Sequence, residues 1–307
     1  VGERILIALG GNAMTGPDGT ASPRDQQAAV ERAMRHVRSL VAAGHRVILT
    51  HGNGPQVGNL LLKNQLAASV VPPVPLDWCG AQTQATIGTL ILNSLQGRSA
   101  AVVTRTLVDV GDPAFLDPVK PIGRYFPEAE ARIFEKLGQS WRSFERGWRR
   151  VVASPEPLEI LDAPAVQVLM DAGYTVVAAG GGGVPVVRLD DGSLAGIEAV
   201  IDKDLAAALL ARSVRASVLI IATDVPNAVV GFGGPDPRPL GAISVSELRV
   251  LHAAGHFAGG SMGPKVEAAL RFVGAGGRLA VITGLESLGG ALTGTIGTRV
   301  ERDAGSD

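Results

Sequence analysis

Short blocks of apolar, mostly branched residues alternate along this chain with longer stretches whose apolar positions recur every three or four residues. Ile5-Leu6-Ile7-Ala8-Leu9 reads as a strand buried on both faces, since no polar residue interrupts it. It ends at Gly10-Gly11-Asn12. A helix is expected from Ser22, with Ser22 as cap, Pro23 in the first turn, Val30, Met34, Val37 and Val41 on one face, and Gly44 as its stop. Residues 46–50 predict the next strand, which runs into His51-Gly52-Asn53-Gly54-Pro55. Helical spacing returns over 57–67, 81–95, 162–172, 203–212 and 264–273, and strands are expected at 100–104, 175–179, 218–222 and 278–283. Such strand–helix–strand alternation implies a parallel sheet covered by helices on both faces.

The rhythm breaks between Asp109 and about Ser154. Asp-Pro and Lys-Pro turns, many arginines and the aromatics Tyr125, Phe126, Trp141, Phe144 and Trp148, expected to be exposed, mark this stretch as an inserted lobe or flap over a site.

Composition narrows the function classes. The 307 residues are 46% hydrophobic and 19% charged, as in a globular chain with a sizeable core, and aromatics at 4% leave that core to Val, Leu, Ile and Ala. A net charge of −1 without a basic block argues against a nucleic-acid partner. The lone Cys79 allows no internal disulfide and suits a reducing compartment. No apolar run approaches membrane-spanning length, and strand-like sequence from Arg4 leaves no room for a leader. The expectation is a cytoplasmic protein with no membrane partner.

The 40 glycines gather at strand ends: Gly10-Gly11, Gly52 and Gly54, and Gly180-Gly181-Gly182-Gly183, with a further turn at Thr223-Asp224. Ligands of open α/β sheets bind beyond the carboxyl ends of the strands, and successive backbone N–H groups at such turns cradle anions. An anionic ligand is therefore expected at this edge. Gly52-Asn53-Gly54-Pro55-Gln56-Val57-Gly58 has one residue too many for a dinucleotide fingerprint, and Gly263-Pro264-Lys265-Val266 lacks the ending of a Walker A loop.

Only five of the 28 basic residues are lysines, and Lys120, Lys203 and Lys265 all lie in Gly/Pro-punctuated or helix-opening motifs. A compact ammonium is not interchangeable with a planar guanidinium. Asp202-Lys203-Asp204 opens the 203–212 helix. The aspartates suit a helix start, but a lysine in the first turn is electrostatically unfavourable. Lys203 there implies an external negative charge, with Asp204 as local organiser. Lys63 and Lys136 read as surface charges, the histidines as structural or surface residues, and Cys79 as a packed small hydrophobe.

Taken together, these motifs resemble the carbamate kinases of the amino acid kinase superfamily from end to end. The similarity runs through Ala8 to Ala13, Thr50 to Asn59, Asp112 to Phe115, Lys120 to Gly123, Arg149 to Val152, Glu198 to Leu205, Thr223 to Val225 and Gly260 to Ala269. The resemblance implies a three-layer α/β/α sandwich around a mainly parallel sheet of about eight strands, working as a homodimer. It implies a single domain over 1–307, with 1–215 holding carbamate or carbamoyl phosphate, a flap at about 109–154, and 216–307 holding ATP or ADP. By the same resemblance Lys203, Lys265 and Asp204 are catalytic. Gly10, Gly11, Asn12, Gly52, Asn53, Gly54 and Lys120 would meet the substrate, and Gly181, Gly182, Asp224, Met262, Pro264 and Lys265 the nucleotide. Relatives often carry a lysine just before the first Gly-Gly; here Ala8-Leu9 stands there, and Lys203 would supply that charge. Mg²⁺ would travel on phosphate oxygens, with no protein metal ligand. Trp78, Thr89 and Arg124 differ from the usual pattern and keep open a kinase for another small carboxylate or phosphonate. A non-catalytic nucleotide or carbamoyl-phosphate sensor is the other alternative.

Overall fold

The computed structural model describes residues 2–15, 22–234, 236–257, 261–294 and 296–303. Its centre is an eight-stranded sheet: β1 (Arg4–Leu9), β2 (Arg46–His51), β3 (Ser99–Ala101), β4 (Thr175–Val177), β5 (Val218–Thr223), β6 (Ala242–Ser244), β7 (Leu279–Gly284) and β8 (Thr298–Glu301). The spatial order is β6-β8-β7-β5-β1-β2-β4-β3. All neighbours are parallel except β7 and β8. No crossover helix separates those two strands, so the chain can only return antiparallel.

The apolar strands are divided residue by residue between two cores. In β1, Ile5, Ile7 and Leu9 pack with α1 (Pro23–Ala42) and α3 (Leu76–Ser94). Leu6 and Ala8 point the other way, into a core shared with α5 (Ala163–Asp171), α6 (Lys203–Ser213) and α8 (Met262–Gly274). Strand β5 splits in the same way. The period of two, with both faces covered, explains why residues 5–9 and 218–222 of these strands include no polar residue. Helix α1 starts as its sequence predicts: Ser22 Oγ accepts from Asp25 N, Pro23 opens the first turn, and Gly44 follows at φ +88°. α2 (Gly54–Ala67) completes the N-terminal layer.

Several expectations need correction. The strand anticipated at 100–104 leaves the main sheet at Ala101, and Arg105–Leu107 joins a second sheet. That sheet has the order Leu194–Gly196, Val184–Arg188, Arg105–Leu107, Glu159–Ile160. Helix α7 (Val245–Ala253), with a Ser244/Glu247 capping box, was also not anticipated. Nor was helix α3 expected to begin as early as Leu76.

The interrupted stretch carries its own three-stranded antiparallel sheet, Lys120–Phe126, Gly147–Val152 and Ser140–Phe144, together with α4 (Glu128–Glu135). Its aromatics are not uniformly exposed, as composition suggested. Phe126 and Trp141 are buried with Ala131, and Phe134 and Trp148 pack against them. Phe126 meets Trp141 edge-on at 5.3 Å, and Phe134 stacks on Trp141 at 5.5 Å. Guanidinium groups cover the rim, Arg124 over Phe126 and Arg132 over Trp148. A sheet this small has few inward positions, and rings bury the most area per position. At the insert's base, Asp112 accepts from Ala114 N and from Glu156 N, tying its two ends together. The insert meets the body where Ile122 and Val152 pack with Val57, Leu76 and Cys79. The Cys79 thiol lies inside this seam, where burial pushes its pKa up.

Replacing Trp141 by alanine should remove roughly 3–5 kcal/mol from the insert alone. Hydrogen exchange should then show faster exchange across 120–152, while β1, β2 and β5 keep their protection.

Candidate active site

Because β1, β2, β4, β5 and β7 run parallel, their C-terminal ends and the turns beyond them reach the same edge. A cleft of about 1960 Å³ opens there, lined by Gly10, Gly11, Gly52, Asn53 and Gly54 on one side and by Thr223, Asp224, Gly263 and Pro264 on the other. Typical small-molecule sites span about 300–1,000 Å³, so this space accommodates two ligands. Close packing explains several of its glycines. Gly52 lies so near the Gly10-Gly11 turn that an added Cβ would stand 3.0 Å from Gly11 N. Gly11 and Gly54 face open space.

Charge is concentrated where α6 and α8 meet the cleft. Asp202 caps α6, accepting from Asp204 N and Leu205 N. Lys203, in the first turn, bonds the Asp204 carboxylate, and Lys265 of α8 reaches its other oxygen at 3.1 Å. Asp204 and Lys265 are only 3% and 6% exposed. Lys120 comes from the insert and pairs with Asp202 Oδ2 at 2.8 Å. Three ammonium groups thus face two carboxylates, leaving one positive charge in excess. Arg124 and Arg149 lie farther along the wall. Burial works against the charged form of Asp202, yet Lys120, the Asp204 N–H and Lys203 hold its carboxyl below the usual carboxylate range. The cap at Asp202 agrees with the sequence expectation of a helix start there, whereas its second role, counter-ion to Lys120 of the insert, was not foreseen.

The other candidates distribute unevenly. Met262 opens α8 and packs against the core. Asn12 lies in the short turn 11–14 after β1; its side chain is outside the described residues, as are Gly259 and Gly260. Gly181 borders the cleft but sits against Asn53, on the β2 side. Gly182 is buried under the Ile201 carbonyl and does not reach the cleft. Both have positive φ, +67° and +94°, which glycine alone adopts freely. Of the three residues that departed from pattern, Arg124 lines the cleft, whereas Trp78 and Thr89 do not. Among the described residues, no three His, Cys, Asp or Glu side chains are grouped to hold a metal ion.

His51 supports the glycine turns from behind. It is fully enclosed, with Nδ1 3.1 Å from Gly52 O, and Gly180 leaves no room for a Cβ against its ring. Burial, reinforced by Lys203, pushes its pKa down to about 4. An unfolded histidine titrates near 6.5, so between about pH 6.5 and 4 the unfolded chain holds the extra proton and stability falls as pH falls. The loss should approach about 3 kcal/mol at the acid end. Melting temperature against pH should show this decline, and His51→Gln should flatten it.

Comparison with known proteins agrees with this geometry. The profile of the amino acid kinase family matches residues 3–284. A carbamate kinase of Thermococcus kodakarensis is 44% identical over 316 residues, covering 98% of this chain and 100% of that protein. The carbamate kinase-like protein YahI of Escherichia coli is 40% identical over 311 residues, covering 97% and 98%. A solved structure of carbamate kinase from Giardia lamblia bound to AMP-PNP superposes with a TM-score of 0.92 at 42% identity, over 99% of each chain. Shared sheet, shared length and this level of identity establish that the chain belongs to the amino acid kinase family, among its carbamate kinases.

Proposed function

We propose that this chain moves a phosphoryl group reversibly between ATP and carbamate, forming ADP and carbamoyl phosphate. The observation that carries this reading is the Lys203–Asp204–Lys265 cluster at the sheet edge, in a cleft roomy enough for both substrates. Carbamate is already an oxyanion. Its oxygen attacks the γ-phosphorus as the bond to the ADP oxygen breaks, and no general base is needed. The work left to the protein is alignment and charge stabilisation. Lys203 and Lys265 neutralise the phosphoryl oxygens, and Asp204 holds both ammonium groups in place. The N–H groups at Gly11 and Gly54 and the N-terminus of α2 suit carbamate. Asp224, Met262 and Pro264 suit the nucleotide, with 1–215 and 216–307 as the two lobes and 109–154 as the flap. Lys120 exchanges its Asp202 partner for the phosphate or carbamate end when substrate is present.

Mg²⁺ would be carried by phosphate oxygens, where it would neutralise charge alongside the lysines. A second acceptor remains open through Arg124, the one unusual residue that lines the cleft. A sensor is disfavoured by the complete charge set, which binding alone does not require. We also propose a homodimer, supported by the open edge of the sheet at β3 and the exposed apolar Val103 just beyond it. A cytoplasmic location is supported by the unpaired thiol of Cys79.

A coupled assay should detect ATP formation from carbamoyl phosphate, ADP and Mg²⁺; folded protein that forms none overturns the reading. Lys203→Arg, which keeps the charge but not its shape, should lower kcat roughly 100-fold. Chelation with EDTA should abolish turnover and leave the melting temperature of the nucleotide-free protein unchanged.

A further inference from the structure

Asn53 occupies the N-cap of α2, where an asparagine side chain ordinarily accepts a first-turn N–H, yet it makes no such bond. Its amide is turned toward α3 instead. Nδ2 donates to Thr83 Oγ1 at 2.9 Å, and Thr83 Oγ1 donates to Gly80 O at 2.7 Å. A hydroxyl has one proton. With that proton on the Gly80 carbonyl, Thr83 can only accept from Asn53, which sets the nitrogen of the amide toward α3. The pair is rigidly enclosed: Thr83 is 2% exposed and Asn53 8%. Gly181 covers the amide so closely that a Cβ there would lie 2.1 Å from Nδ2.

The other end of the amide has a different fate. Among the described residues nothing donates to Asn53 Oδ1, and this oxygen is not among the sealed polar atoms. Asn53 itself lines the cleft. A carbonyl oxygen is therefore held at the surface of the cleft that Lys203 and Lys265 also line. What it suits is a donor. Carbamate differs from a carboxylate of equal size, such as acetate, in having an amino group.

We propose that Asn53 Oδ1, oriented by Thr83, accepts an N–H of the carbamate amino group, and that this pair sets the preference for carbamate over carboxylates without a donor. Thr83 is a positioning residue; it acts through Asn53. A substrate lacking the N–H strips water from Oδ1 without replacing the hydrogen bond, which is how a polar site rejects an isostere. This inference rests on the phosphotransfer reading above.

ATP formation from ADP should be measured with carbamoyl phosphate and with acetyl phosphate. The parent protein should favour carbamoyl phosphate in kcat/KM by more than about tenfold. Thr83→Val, which removes the hydroxyl at nearly constant shape, should lower kcat/KM for carbamoyl phosphate about tenfold and change that for acetyl phosphate by less than about twofold. Thr83→Ser should restore the preference, and ADP affinity by calorimetry should be the same in all three. Equal losses for both acyl phosphates, no loss for either, or a serine variant as poor as valine would overturn the proposal. So would a parent that does not discriminate, a result that decides the matter even if Thr83→Val fails to fold. A parent that turns over neither acyl phosphate overturns the phosphotransfer reading itself.

Discussion

One carboxylate holds two ammonium groups at the centre of this protein. Asp204 lies between Lys203, beside it on α6, and Lys265, on α8. Two lysines could not remain together in so enclosed a place without it, because buried like charges repel strongly and lose their hydration. The bridge joins two helices that pack on the same face of the sheet, and its excess positive charge points to the cleft. The position of Lys203 in a helix's first turn, unfavourable against the helix dipole, makes sense only in this company.

Asp202 extends the same logic outward. Its one carboxylate caps α6 and receives Lys120 from the insert, so the helix that carries the central charges is also the helix the insert grips. The insert can act as a unit because its aromatic cluster gives it a core of its own, while the shared seam at Ile122, Val152 and Cys79 keeps it seated on the body. An aliphatic chain economical with aromatics spends them where a small sheet needs large side chains.

The glycine turns serve two ends that sequence alone does not separate. Gly11 and Gly54 face open space at the cleft, whereas Gly180 to Gly183 are spaces for neighbours: the His51 ring, the Asn53 amide, the Ile201 carbonyl and the Thr106 hydroxyl. The second group shapes the site from behind. It keeps His51 neutral and dry, and holds Asn53 flat between α3 and the quartet.

Much of this was legible in the chain. Uninterrupted apolar blocks at 5–9 and 218–222 reported a doubly covered parallel sheet, the glycines at 10, 11, 52 and 54 reported the edge where the cleft opens, and Asp202-Lys203-Asp204 reported the charged start of α6. These are local signals, because the period of a strand or the start of a helix is written in neighbouring residues. The second sheet was not legible, since strands of two or three residues such as Glu159–Ile160 are too short to carry a period. Nor were the burial of Phe126 and Trp141, the turning of Trp78 and Thr89 away from the cleft, the Lys120–Asp202 pair or the diversion of Asn53 to Thr83. Each depends on which distant segment comes to lie alongside. The sequence by itself determined the layers and the kinds of chemical group at the sheet edge. Only the tertiary structure decided which of those groups meet, because burial, charge balance and hydrogen-bond direction are properties of neighbours in space.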